Sequence, residues 1–191
     1  MEGELGVRLA DKLFQVWRKD GSEAWVLIHI EVQNQPDDKF AERMYIYNYR
    51  LYDRFRRPIA SLAVLGDDRP VWRPNRFGYE LWGSEASLIF PVVKLLDFGI
   101  DLVKLEKDAN PFGLLVLAHL QTMATRQDNE GRKSWKARLV KGLFDRGRDA
   151  ESVRQLFRLV DWMMELPKEL ESEFRDELRR FEEERKMPYI T

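Results

Sequence analysis

Alternation of apolar and polar residues predicts two strands near the start of the chain. Residues 13–17 and 25–33 are rich in Val, Ile, Leu, Phe and Trp, which favour strands. Asp20-Gly21-Ser22 lies between them and predicts a hairpin turn. The second strand carries an apolar set on one face and a mixed set on the other: Val26, Ile28, Ile30 and Val32, against Leu27, His29, Glu31 and Gln33. The pattern predicts that the apolar face lies on the core and that the other face points outward.

A helix and then further strands follow this hairpin. Pro36-Asp37-Asp38 predicts a helix start, and residues 38–56 predict an amphipathic helix. Its buried stripe is predicted to be Phe40, Met44, Tyr47, Leu51 and Phe55. Residues 59–65, 79–83 and 86–93 predict strands, with a loop at 71–78.

The second half of the chain predicts helices. Asn110-Pro111 is a helix start signal, and helices are predicted at about 111–127, 130–145, 149–165 and 168–186. Strands followed by helices predict an α/β fold, with a mixed central sheet flanked by helices and a helical C-terminal half. We expect a core at residues 1–125 and a helical extension at 126–191, packed together as one compact unit.

Two carboxylates in the hairpin are candidates for chemistry. A three-residue turn at 20–22 places Asp11 opposite Glu31 on the same face, whereas a two-residue turn places Asp11 opposite Ile30 on the core face. We favour the three-residue turn, because it leaves no carboxylate in the core. Opposed carboxylates repel each other, and the usual remedies are a shared proton, a basic neighbour or a cation. Asp11, Glu31 and the backbone carbonyl of Val32 offer oxygen ligands that suit Mg²⁺.

A row of basic and aromatic residues follows on the helix. Arg43, Tyr47, Arg50 and Arg54 are spaced so that they share one border of the helix 38–56. Arginine presents a planar fork that suits phosphate, so this row is a candidate for holding a nucleic-acid backbone. The alternative is a solvated helix face whose arginine stems cover apolar surface.

The ordered combination of these residues resembles the PD-(D/E)XK nuclease superfamily and, within it, the recombination-promoting nuclease (Rpn) and putative transposase group. The most specific stretch is Trp25-Val-Leu-Ile-His-Ile-Glu-Val-Gln33, followed by Glu42-Arg-Met-Tyr-Ile-Tyr-Asn-Tyr-Arg-Leu-Tyr-Asp53 and Pro58-Ile-Ala-Ser-Leu-Ala-Val-Leu65. The resemblance covers most of the chain and is strongest over about residues 10–95.

The resemblance implies a restriction-endonuclease-like core and Mg²⁺-dependent DNA cleavage, in which Mn²⁺ can replace Mg²⁺. Asp11 and Glu31 match the two acidic positions of the superfamily. Gln33 stands where the superfamily usually has lysine, so the implied catalytic set is Asp11, Glu31 and Gln33. Arg43 and Tyr47 match the helix motif that follows the catalytic strands. Relatives usually have helices ahead of the first acidic position, where this sequence has ten residues.

The amino-acid composition bears on how the protein contacts DNA and on where it is expected in the cell. The net charge is −1, which argues against generic coating of DNA but not against a local contact. The chain has no cysteine and no apolar run long enough to span a bilayer, so we expect a cytoplasmic protein without membrane contact. Basic residues are also dense over 126–148, and this segment is either a second candidate for contact with phosphate or a solvated helix face.

Three functions remain open from the sequence. The leading hypothesis is a Mg²⁺-dependent DNA endonuclease linked to recombination or mobile DNA. The main alternative is a weakly active or inactive nuclease fold that binds DNA or regulates a longer nuclease partner, because glutamine cannot supply the charge of lysine. A third hypothesis is a metal-free scaffold that assembles through its helical half. The apolar stripe of the last helix is expected either to dock on the core of its own chain or to form a homodimer.

Overall fold

The computed structural model describes residues 12–17, 23–145 and 149–186. The chain divides into two compact units, Met1–Leu95 and Leu96–Thr191. Within the described residues, the first unit contains the strands and one helix. In chain order these are β1 (Lys12–Trp17), β2 (Glu23–Gln33), α1 (Phe40–Phe55), β3 (Ile59–Leu65), β4 (Arg76–Leu81), β5 (Ser84–Ile89) and β6 (Val92–Lys94).

The strands form a mixed sheet and a separate hairpin. The described part of the sheet has the order β1-β2-β3-β6, with β1 antiparallel to β2, and with β2, β3 and β6 parallel. Helix α1 joins the parallel strands β2 and β3, while β4 and β5, within the described part of the chain, pair only with each other. The predicted α/β class and mixed sheet are confirmed.

The predicted register between the first two strands is wrong by two residues. A three-residue turn requires Lys12 to lie opposite Ile30, but Lys12 lies opposite Ile28, and Trp17 opposite Glu23. Asp11 itself lies outside the described residues. The register along the described part of β1 differs from the one that would bring Asp11 opposite Glu31.

The predicted orientation of β2 is also wrong. His29 is only 3% exposed, whereas Ile30 and Val32 are 45% and 59% exposed. The face that carries His29, Glu31 and Gln33 lies toward α1, and the apolar face is the more open one. In parallel sheets both faces of a strand can be covered, so apolar alternation alone does not identify the face that packs on a helix.

Apolar packing in the first unit lies between α1 and the sheet. Phe40 and Met44 of α1 are fully buried against Ala63 and Leu65 of β3 and against Phe90. The predicted stripe is confirmed at Phe40, Met44 and Leu51, while Tyr47 and Phe55 at its edges are half-buried. The stripe sets which flank of α1 lies over β2.

The second unit is helical. After a 3-10 turn (Leu95–Ile100) that begins at the last residue of the first unit, it contains α2 (Leu102–Glu106), α3 (Pro111–Ala124), α4 (Asn129–Phe144), α5 (Ala150–Met163) and α6 (Lys168–Arg185). The sequence predicts the last four helices to within a few residues. Helix α3 packs against α4 and α5. The stripe of α6 packs into the core of its own chain through Phe174 and Leu178, and homodimer formation stays a prediction.

Basic residues of α4 are paired within the second unit. Lys136 is buried with its Nζ 2.7 Å from Asp161 and 2.8 Å from Glu171. Lys133 and Lys141 form ion pairs with Glu173 and Glu177 of α6. The ion pairs with Glu171, Glu173 and Glu177 therefore link α4 to α6. Among the described residues, no helix is long and apolar enough to cross a bilayer.

Candidate functional site

A chain of polar side chains lies between β2, β3 and α1. Asn48 of α1 donates from Nδ2 to the Ser61 hydroxyl at 3.0 Å and to the carbonyl of Ile59 at 3.3 Å. Ser61 Oγ lies 3.2 Å from His29 Nδ1. Both His29 and Ser61 are buried, so these bonds satisfy polar groups that would otherwise be costly to bury.

His29 connects Ser61 to Glu31. Ser61 Oγ can take part in hydrogen bonds with Asn48 and His29 at once, because a hydroxyl donates one hydrogen bond and accepts two. The other ring nitrogen of His29, Nε2, lies 3.8 Å from Glu31 Oε2. Ser61 is not placed as a nucleophile, since its hydroxyl is buried beneath α1 and bonded to two side chains.

Glu31 lies at the open end of this chain and is about a quarter exposed. Its Oε1 lies 3.5 Å from Arg43 Nε, so the two carboxylate oxygens face different partners. His29, and then Arg43, lower the pKa of Glu31, while partial burial acts in the opposite direction. Glu31 is therefore a carboxylate at neutral pH and can offer oxygen atoms to a cation.

Arg43 connects three acidic or amide side chains. Its Nη2 donates to Gln33 Oε1 at 2.8 Å, and its Nη1 donates to Asp37 Oδ2 at 2.5 Å. The guanidinium also lies over the Phe40 ring, 5.3 Å from the centroid. With Glu31 on its Nε side, Arg43 has its donors directed to three side chains of the protein, while its own side chain is 29% exposed. It therefore links Glu31, Gln33 and Asp37 at the partly exposed edge of the site.

The other members of the predicted row lie along the same border of α1. Tyr47 packs edge-to-face on His29, with centroids 5.6 Å apart. Arg50 and Arg54 are exposed further along the helix, and Arg54 lies over Phe55 at 5.2 Å. The row thus begins at the polar site with Arg43 and Tyr47, and its last two members lie on the surface.

The backbone of Val32 is suitably directed for a ligand. The N–H of Gly66 donates to the carbonyl of Gln33 at 2.9 Å, so that carbonyl points toward β3. Successive strand residues direct their backbone groups to opposite sides, and the carbonyl of Val32 therefore points toward the β1 side. The described part of β1 ends opposite Ile28. Hence the described structure pairs no strand with Val32 on that side.

Glu31 and the Val32 carbonyl have the chemistry that a hard cation such as Mg²⁺ requires, namely oxygen donors beside solvent. No group of three or more His, Asp or Glu side chains in the described part of the chain is arranged to hold a metal ion. A site that used these residues would therefore need oxygen from elsewhere, and the predicted ligand Asp11 lies outside the described residues.

A buried ion pair occupies the same edge of the sheet. Lys94 Nζ lies 2.5 Å from Asp67 Oδ2, with the two side chains 0% and 1% exposed. Gln33 pairs with Leu65, and Leu65 with Lys94, so all three side chains share one face at the carboxyl end of the parallel strands. In open α/β sheets this end is where ligands bind.

Sequence reasoning missed several members of the site. The predicted outward face includes His29, which is buried, and the sequence does not assign Ser61, Asn48 or Asp37 to the site. The signal available for His29 was its place two residues before Glu31 on the same strand face. Ser61 and Asn48 gave no signal, because their contact depends on how α1 lies across β2 and β3.

The fold and the site define a class of α/β protein in which a Glu-x-Gln strand faces an arginine-bearing helix. Residues 1–61 of 191 match the model of a family described as putative transposase, YhgA-like, which belongs to the PD-(D/E)XK and Rpn-type transposase-like group. The match suggests a function related to mobile DNA and an interaction with DNA. The matched residues include β1, β2, α1 and Ser61. No curated protein and no solved structure matches the chain.

Proposed function

We propose that the protein is a Mg²⁺-dependent DNA endonuclease of the PD-(D/E)XK class, acting in recombination or on mobile DNA. The observation that carries the proposal is the convergence of Glu31, Gln33 and Arg43 at the carboxyl end of β2. These residues come from the strand and the helix that the resemblance names. The match of residues 1–61 to a putative transposase family supports the same function.

In this proposal each residue has a distinct task. Glu31, the Val32 carbonyl and Asp11 hold Mg²⁺, which when bound supplies an activated water and offsets charge on the scissile phosphate. Gln33 orients the attacking water through its amide. Arg43 positions Glu31 and Gln33, while His29 lies beside Glu31 and Tyr47 packs on the ring of His29.

The exposed arginines of α1 bind the DNA backbone in this proposal. Arg50 and Arg54 lie on the same border of the helix as Arg43, about two and three turns further along. Their guanidinium groups reach solvent, which a contact with phosphate requires. Contacts of this kind set the position of the DNA without reading its sequence.

A second function, DNA binding without efficient cleavage, is favoured by the state of Gln33. Its Oε1 accepts from Arg43, and its Nε2 donates to the carbonyl of Gln35 at 2.7 Å. The amide is therefore engaged at both ends, and it lacks the charge that lysine would direct at the phosphate. A protein of this kind would bind DNA or regulate a longer nuclease partner.

Cleavage of supercoiled plasmid tests the first function. The wild-type protein is incubated with plasmid in Mg²⁺, in Mn²⁺ and in EDTA, beside Glu31→Gln and the control Glu184→Gln, which alters an exposed carboxylate of α6. We expect cleavage by the wild type and by Glu184→Gln in either metal, with none in EDTA. Glu31→Gln should lose at least a hundredfold in rate, the scale on which removal of a catalytic electrostatic contact acts.

The same proteins separate the second function from the first. Cleavage that survives in Glu31→Gln would exclude this site as the catalytic one. If neither metal supports cleavage, while DNA is bound and Arg50→Gln with Arg54→Gln weakens that binding, the protein binds without cutting. Calorimetric titration that shows no binding of Mg²⁺ or Mn²⁺ would exclude the endonuclease, and if DNA binding is absent as well, the scaffold hypothesis remains.

A further inference from the structure

His29 is a buried polar residue on the face of β2 that lies toward α1. It is 3% exposed, and its Nδ1 lies 3.2 Å from the hydroxyl oxygen of Ser61 on β3. Ser61 is bonded in turn to Asn48 of α1, at 3.0 Å. Polar side chains from three elements therefore form one connected row between the helix and the sheet. Burying such groups is costly unless each of them has a partner.

The ring of His29 is held by two neighbours. Ser61 contacts Nδ1, and Tyr47 packs edge-to-face on the ring, with an angle of 86° between the planes and 5.6 Å between the centroids. Because the ring is buried, it cannot turn without displacing one of these side chains. A polar network whose members are paired in this way makes the local structure rigid. The position of Nε2 is therefore set by residues other than Glu31.

Nε2 of His29 lies beside Glu31, at the open end of the row. The distance from Nε2 to Oε2 of Glu31 is 3.8 Å, while Oε1 lies 3.5 Å from Nε of Arg43. Each oxygen of the carboxylate thus has a different neighbour, one on the strand and one on the helix. Glu31 is about a quarter exposed, so its remaining lone pairs are accessible to a cation from solvent.

We propose that His29 is a positioning residue of the metal site, which keeps Oε2 of Glu31 away from Arg43 so that the carboxylate can ligate a divalent cation. Arginine matches both oxygens of a carboxylate, and a two-bond pair with Arg43 would compete with the cation for Glu31. Replacing a residue that orients a metal ligand typically lowers metal affinity by about 10–100-fold. The inference rests on the proposed function and adds to it a residue that sets its metal affinity.

Two substitutions separate the nitrogen of His29 from its ring. His29→Phe keeps a ring that can pack on Tyr47 and removes the nitrogen beside Glu31. His29→Gln loses the ring, but its amide reaches about as far from the backbone as Nε2 and keeps a polar group beside Glu31. A role in packing alone predicts that His29→Phe is the milder change. A positioning role predicts the opposite order for metal affinity.

The test is calorimetric titration of Mn²⁺ into the wild type and the variants, without DNA. We expect His29→Phe to weaken Mn²⁺ binding by about 10–100-fold, and His29→Gln by less than about threefold. Glu31→Gln, which removes the ligand itself, should bind more weakly than either. His119→Phe is the matched control, because His119 of α3 is the other histidine of the chain, and it should bind Mn²⁺ as the wild type does.

Thermal unfolding followed by circular dichroism establishes that each variant is folded before titration. If His29→Phe does not fold, His29→Asn takes its place, since the shorter amide of asparagine reaches only as far as Nδ1 and leaves Glu31 without its neighbour. Mn²⁺ affinity that is unchanged in the variant without a group beside Glu31 would overturn the proposal. So would a loss in folded His29→Gln that equals the loss in that variant.

A cleavage assay keeps this proposal separate from the nuclease function. Excess Mg²⁺ should restore plasmid cleavage by His29→Phe, because weak binding is overcome by concentration, but should not restore cleavage by Glu31→Gln. Cleavage that requires Glu31, with Mn²⁺ affinity unchanged in His29→Phe, would refute the positioning role alone. Mn²⁺ binding that depends on both His29 and Glu31, without cleavage by the wild type, would refute the nuclease function alone. A wild type that binds no Mn²⁺ would refute both.

Discussion

We expect Lys94→Met to destabilise the protein by about 3–5 kcal/mol, because it leaves the Asp67 carboxylate charged and without its partner in the interior. Both side chains are excluded from water, and Nζ and Oδ2 are 2.5 Å apart. Lys94 also lies near the carbonyl of Trp72 at 3.4 Å, and Asp67 accepts from the N–H of Arg69 at 2.9 Å. Water cannot replace the ammonium group without opening this edge of the sheet.

A double-mutant cycle gives the magnitude of the pair itself. Asp67→Asn keeps the acceptor for the N–H of Arg69 and removes the charge. Once Lys94→Met is present, Asp67→Asn should therefore recover part of the lost stability. We expect the double variant to be more stable than the sum of the two single variants predicts, by about 2–3 kcal/mol. A buried pair that is broken on one side costs more than one that is replaced on both sides.

Urea unfolding followed by circular dichroism and tryptophan fluorescence measures these differences. Lys104→Met is the control, because Lys104 is exposed on α2 and should change stability by less than about 0.5 kcal/mol. A cost below about 1 kcal/mol for Lys94→Met would refute the reasoning, as would additive effects in the cycle. Either result would mean that water reaches the pair in solution.

Three further predictions concern charge and helix geometry. The pKa of Glu31 is lower in the folded protein than in the unfolded chain, so the stability that Glu31 contributes should be lost as the pH falls below the ordinary glutamic-acid pKa of about 4.3. The stability of Glu31→Gln should therefore depend less on pH than that of the wild type in acid unfolding. Gly142→Ala should raise stability by roughly 0.5–1 kcal/mol in thermal unfolding, since nothing lies within 4 Å of the added methyl group. Gly131→Ala should lower stability by about 1 kcal/mol, because the methyl group would meet the carboxylate of Asp128, which caps α4. Lys136→Met should cost about 2–3 kcal/mol in urea unfolding, and the more exposed Lys141→Met less than about 1 kcal/mol; equal costs would contradict the role of burial.

The sequence predicts most helices and strands because their signals are local. Asn110 caps α3 from its side chain and Asp149 caps α5, as a cap followed by an apolar period requires. The stripe of Phe40, Met44 and Leu51 likewise follows the helical period. These elements need no information from other parts of the chain.

The errors concern relations between elements. The register of β1 on β2 depends on the length of the connection, and a two-residue turn, a three-residue turn and a longer loop all suit the same residues. The face of β2 that meets α1 depends on polar partners elsewhere. His29 can be buried there because Ser61 lies beside it on β3 and Asn48 lies above it on α1.

The orientation of β2, which is opposite to the predicted one, also explains how Arg43 can contact both Glu31 and Gln33. With His29, Glu31 and Gln33 facing α1, residues two apart on the strand lie within reach of one turn of the helix, where Arg43 contacts both Glu31 and Gln33. The predicted orientation would have placed them away from the helix, and Arg43 with solvent. The alternation that was interpreted as an outward polar face is therefore the feature that assembles the site, because buried polar groups are retained where each has a partner. The carbonyl of Val32 is on the edge opposite to β3, so a cation at Glu31 would approach from that edge, away from the guanidinium that already neutralises part of the carboxylate charge.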